Sequence, residues 1–222
     1  MSASTESSDL IVWVWAGALL VASAVLPFVL SAGIGLDVPV LRSTVGILGE
    51  LAFAAAMVLF AWGWRGRGSV VAGRRAGVIA LTALAVVPLA MWLASGLADL
   101  TLGPLTTTDD ARVWWGDAYQ VLWIGAAALA VAEIWRAGVV PRPWNRVPAW
   151  GLLVVVGVGA ITQIASVSLV NAGAGDQLAL ITLWQLSSLA MFVVPLGLGI
   201  AAIVLGLRRT PPPTVQVFPP AA

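Results

Sequence analysis

Residues 182–206, TLWQLSSLAMFVVPLGLGIAAIVLG, run for twenty-five positions without a charged side chain. A helix of that length, rising about 1.5 Å per residue, outreaches the ~30 Å hydrocarbon core of a bilayer. The alternative spanning element, a strand of an outer-membrane barrel, needs only ~10 residues and alternates apolar with polar ones. Residues 182–206 do not alternate. The segment therefore reads as a transmembrane helix, closed by Arg208-Arg209. Working outward, five more apolar stretches of comparable length lie at about 10–32, 44–64, 76–98, 113–135 and 149–170. The fold class expected is an all-α membrane protein, a bundle of six transmembrane helices forming one domain over residues 10–209. A short tail, 1–9, precedes it and a Pro-rich tail, 210–222, follows.

Composition supports the same solvent. Of 222 residues, 60% are hydrophobic and 9% charged, against about 25% charged in a soluble domain. So few charges cannot cover a water-facing surface, but they suit one that faces lipid. The net charge of +1 comes from eleven Arg and no Lys. No basic stripe for nucleic acid can be built from these.

Missing residue types exclude whole chemistries. The chain has no His and no Cys, so it lacks imidazole ligands, a Ser-His-Asp triad, disulfides and thiolate nucleophiles. Without Lys there is no Schiff base and no phosphate-loop lysine. A non-enzyme is expected, with no cofactor and no metal. Arg in place of Lys, with abundant Ala, Gly, Val and Pro, also fits a GC-rich bacterial source.

The arginines orient the chain. Arg65, Arg67, Arg74 and Arg75 lie between the second and third stretches, and Arg136, Arg142 and Arg146 between the fourth and fifth. With Arg208 and Arg209, nine of the eleven fall on one side, whereas the opposite connections hold only Arg42 and Arg112 beside Asp37, Asp99, Asp109, Asp110 and Asp176. By the positive-inside rule the arginine side is cytoplasmic, which places both termini inside a plasma membrane. Tryptophan, which favours the headgroup level, clusters near stretch ends, with only Trp123 well inside one. Glu6 and Asp9, without a preceding positive residue, mark the first stretch as an uncleaved anchor rather than a secretory signal. Pro211-Pro212-Pro213 and Pro219-Pro220 favour extended backbone, so the last tail is expected to be disordered.

The connection Arg136-Ala-Gly-Val-Val-Pro-Arg142-Pro-Trp144 resembles the Arg-small-Gly-x-x-Pro-Arg-aromatic loop of uncharacterised bacterial multi-pass membrane families. It departs from their commoner form by Pro143 between Arg142 and Trp144. The resemblance implies a six-helix membrane scaffold with no assigned chemistry. The residues explain the loop without it: Gly138 ends a helix, Pro141 and Pro143 forbid its continuation, and Arg and Trp anchor the turn.

Glu50 is the first candidate for chemistry. It lies well inside the second stretch, where a carboxylate is costly and normally faces protein or water. Two readings stay open, a proton- or cation-handling carboxyl and a structural hydrogen bond between helices. Asp117 and Gln120, three apart, share a face of the fourth helix, with Tyr119 pointing elsewhere. Gln163 in the fifth stretch and Gln185 and Ser188 in the sixth lie on polar stripes, which are either helix-packing seams or a cavity wall. Converted to depth, Glu50, Asp117, Gln120, Gln163, Gln185 and Ser188 fall in the outer half of the membrane. They are expected to line a shallow polar vestibule open to the outside, closed below by Met57, Leu129 and Ile203. Glu133, three residues before Arg136, reads as one half of an interfacial ion pair. Pro27, Pro88 and Pro195 fall inside the first, third and sixth stretches and each frees a carbonyl, so kinks are expected there. Asp109 and Asp110 lack a second carboxylate cluster with which to hold magnesium.

Two functions follow from this reading. One is a small carrier or sensor with an outward-facing polar cavity around Glu50. The other is a structural or accessory subunit meeting a membrane-protein partner, or its own copies, within the lipid bilayer.

Overall fold

The computed structural model describes residues 3–31, 39–63, 68–102, 109–171 and 177–208, with side chains described for 11–28, 44–63, 68–94, 116, 118–169 and 177–208. They form six long helices: α1 (Ala3–Ser31), α2 (Pro39–Trp62), α3 (Arg75–Leu102), α4 (Asp109–Ala137), α5 (Val147–Asn171) and α6 (Gln177–Arg208). A single 3₁₀ turn, Trp144–Arg146, leads into α5. The protein is all-helical, without a strand among the described residues, and each of the six helices is long and apolar enough to cross a membrane. Helices suit that solvent because every backbone N–H and C=O inside them is bonded within the segment.

Each helix packs on its neighbour in chain order and α6 returns against α1, so the six make a ring; the α4–α5 seam is the thinnest. The outside of the ring is apolar. Val121, Leu178 and Leu207 are all more than two-thirds exposed, and no residue of α5 from Val147 to Leu169 is buried by the other helices. Such faces call for lipid rather than water.

Small residues set how closely the helices approach. Among the described residues half of the buried apolar side chains are alanines, including Ala16, Ala56, Ala61, Ala80, Ala130 and Ala202. Between α1 and α6 the contact is backbone to backbone. A Cβ added at Gly17 would stand 2.6 Å from the Gly199 carbonyl oxygen, and one at Gly199 2.7 Å from the Gly17 oxygen. Between α1 and α2, Gly49 abuts Pro27, where a Cβ would come within 3.0 Å of the ring. Without a hydrophobic drive between helices in lipid, this close van der Waals packing is the main source of association.

The end of the bundle that carries Arg74, Arg136, Arg146 and Arg208 is stapled by a turn, Gly68–Arg74, folded back onto α2. Ser69 Oγ donates to the Ala61 carbonyl (2.7 Å), Val70 N–H to the Phe60 carbonyl (3.0 Å), and Trp13 Nε1 of α1 to the Gly68 carbonyl (2.9 Å). Val71 is fully buried and Gly77 of α3 makes room for it. The expected Glu133–Arg136 pair is present at 2.8 Å, and Arg74 joins it from the turn at 3.4 Å. One buried carboxylate thus ties α4 to the α2–α3 connection. In the loop after α4, Gly138 takes the left-handed backbone (φ 64°) that stops the helix.

Candidate functional site

A cavity of about 850 Å³ runs inside the ring. It extends from Val70, Val140 and Trp144 at the arginine-bearing end to Gly46, Tyr119 and Trp184 at the other, and all six helices contribute to its wall. At the arginine-bearing end it is sealed by side chains that are themselves buried, Trp13, Val70 and Val140. Toward the other end the lining residues Phe28, Glu50, Trp184 and Ser188 remain accessible.

The wall is mostly apolar and aromatic. Phe53, Phe60 and Trp123 lie along it, Trp13 meets Phe60 edge-on with centroids 6.3 Å apart, and Phe28 stacks on Phe192 at 4.3 Å. Against that surface the polar groups are few. Among the described residues Glu50 is the sole charged one of the lining, and its carboxylate has no hydrogen bond there. Tyr119 of α4 lies within electrostatic reach of it. Ser23 Oγ donates to the Leu20 carbonyl and Ser188 Oγ to the Trp184 carbonyl, so both hydroxyls spend their proton on their own helix.

Pro27, Pro88 and Pro195 all line this cavity. Each lacks the N–H that would bond the carbonyl four residues earlier, and the residues so freed, Ser23, Leu84 and Met191, are lining residues too. Gly49 brings α2 against this stretch of α1, for a Cβ there would also lie 3.4 Å from the Ser23 oxygen. Glu50, the next residue, is carried to the same level.

The expected shallow polar vestibule is corrected by this geometry. Glu50 and Ser188 line the cavity, whereas Gln120, Gln163 and Gln185 are exposed and stand apart from it. The side chain of Asp117 lies outside the described residues. Depth explains Gln163. The α5 residues on the wall run from Val147 to Val155, and Gln163 lies about 12 Å further along the helix, at ~1.5 Å per residue. Tyr119 lines the cavity and Gln120, the next residue, does not; the expectation that Tyr119 points elsewhere is reversed. Its signal was legible, because Tyr119, Trp123, Ala127 and Ala130 recur at helical spacing on one face.

The expected floor is also replaced. Met57 belongs to the cavity wall, Leu129 is exposed, and Ile203 packs beneath Gly17 in the α1–α6 seam. Closure comes from the Gly68–Arg74 turn, a connection whose hydropathy gives no hint of burial. The polar stripes are not hydrogen-bonded seams either. Ser166, Ser168, Thr182 and Ser188 each donate to the carbonyl four residues back in their own helix, at 2.8–2.9 Å.

Compared with protein-family models, with characterised proteins and with solved structures, the chain matches none. The cavity is therefore read from its own chemistry.

Proposed function

We propose that the chain is a plasma-membrane carrier that holds a small amphiphilic molecule inside its helix ring, with Glu50 and Tyr119 as the polar contacts. One observation carries this reading: a sealed-end cavity of about 850 Å³, within the ~300–1,000 Å³ of small-molecule sites and apolar apart from a few convergent polar groups. Pro27, Pro88 and Pro195 on its wall, inside α1, α3 and α6, supply points about which helices can bend during access. The arginine-bearing end is assigned to the cytoplasm on the positive-inside rule, so the accessible lining faces outward.

Native mass spectrometry of the purified chain tests the proposal. The parent is expected to carry a small-molecule adduct, while Ser188→Trp and Leu152→Trp, which fill the wall, are expected to lose it with melting preserved. Adducts that survive both substitutions would place the molecule elsewhere.

A second reading, an accessory subunit or homo-oligomer, is favoured by Gln120, Gln163 and Gln185, whose exposed amides stand off the cavity. In lipid such groups bond best to another helix. The mass of the complex purified intact separates the two readings.

A further inference from the structure

We infer that the cavity selects an organic cation, with its positive centre between Glu50 and Tyr119 and its apolar body along Phe53, Phe60 and Trp123. The inference rests on the binding reading above and adds charge selectivity to it.

Among the described residues the wall's single formal charge is negative. No described arginine lines the cavity; they gather at the sealed end, where Arg74 and Arg136 are engaged by Glu133. Glu50 thus lacks both a counter-ion and a hydrogen bond among the described residues. An unpaired carboxylate in apolar surroundings is costly. A bound cation supplies the missing partner, and an anion would meet only repulsion. Other features of the wall lean the same way. The carbonyls of Ser23, Leu84 and Met191 are freed by the prolines, Ser23 and Ser188 have donated their protons elsewhere, and aromatic faces attract cations through the ring quadrupole.

The same wall argues against an inorganic ion. Calcium takes six to eight oxygen ligands, and magnesium keeps much of its water. Among the described residues no cluster of three carboxylate or other ligating side chains occurs. A weakly hydrated organic cation needs one counter-charge and a large apolar contact, which is what Glu50 and its surroundings provide.

Equilibrium binding to the full chain in lipid nanodiscs tests this with three probes of one shape: tetraphenylphosphonium, tetraphenylborate and neutral tetraphenylsilane. Signal from empty nanodiscs is subtracted. Tetraphenylphosphonium is expected to bind saturably and about tenfold or more tighter than the other two, a difference of at least ~1.4 kcal/mol. Glu50→Gln is expected to remove that preference and Glu50→Asp to keep part of it. If all three probes bind alike and Glu50→Gln changes nothing, charge selectivity is overturned while the cavity reading stands, provided Ser188→Trp still abolishes binding. If no probe binds saturably, or Ser188→Trp leaves binding intact, both readings fall.

Discussion

Glu50 and Glu133 are both carboxylates within the helical bundle, yet their surroundings assign them opposite parts. Glu133 is buried and bonded to Arg136 and Arg74, so it holds the fold; Glu50 stands accessible in a cavity without a hydrogen bond among the described residues. The structural reading of Glu50 required a hydrogen bond to another helix, and the described residues offer none. Opposite stability effects follow. Glu50→Gln and Glu50→Leu are expected to melt within about 2 °C of the parent or above it, since no native bond is lost and a desolvation cost is removed. Glu133→Gln is expected to melt clearly lower, because two arginines lose their counter-charge. Thermal denaturation of the three variants in one detergent decides this, and a Glu50→Leu variant that melts as low as Glu133→Gln would restore the structural role.

Helix contacts depend on positions that have no side chain at all. At the α1–α6 crossing the Gly17 and Gly199 backbones touch, so a Cβ on either meets carbonyl oxygen rather than a flexible side chain that could move aside. Gly199→Val is expected to cost at least the ~1–3 kcal/mol of an overpacked core, lowering the melting point by several degrees. Gly125 supplies the contrast. It is exposed within α4 with nothing near its missing Cβ, and Gly125→Ala is expected to be neutral or to stabilise by up to ~1 kcal/mol through helix propensity. Parallel melts of the two variants check both; a tolerated Gly199→Val would mean that the seam is looser than its geometry.

Across the whole molecule, the arginine-bearing end is the closed one. Trp13, the Gly68–Arg74 turn and Val140 plug it from three separate parts of the chain. Because the chain has no Cys, single cysteines report sidedness without background. Ser69 is buried and bonded, so the exposed Ala72 beside it is the position to label. Ala72→Cys is expected to react with an impermeant maleimide only when the cytoplasmic face is open, and Gln177→Cys, at the start of α6, in intact cells. The reverse pattern would invert the assignment and make the accessible lining face inward.

Length and hydropathy alone determined the six helices, since a bilayer requires about 20 apolar residues per crossing whatever the neighbours are. The arginine distribution likewise singled out one end, and Glu50 stood out because an intramembrane carboxylate is rare. These are local constraints, legible one segment at a time. Which faces meet is not local, because helices apolar nearly all round, such as α3 and α5, carry no moment that fixes their rotation. Rotation is set by contacts such as Gly17 on Gly199 and Gly49 on Pro27. In the packed ring Tyr119 lines the cavity. Depth along a helix could be read from the sequence, but direction around it was decided only when the ring closed.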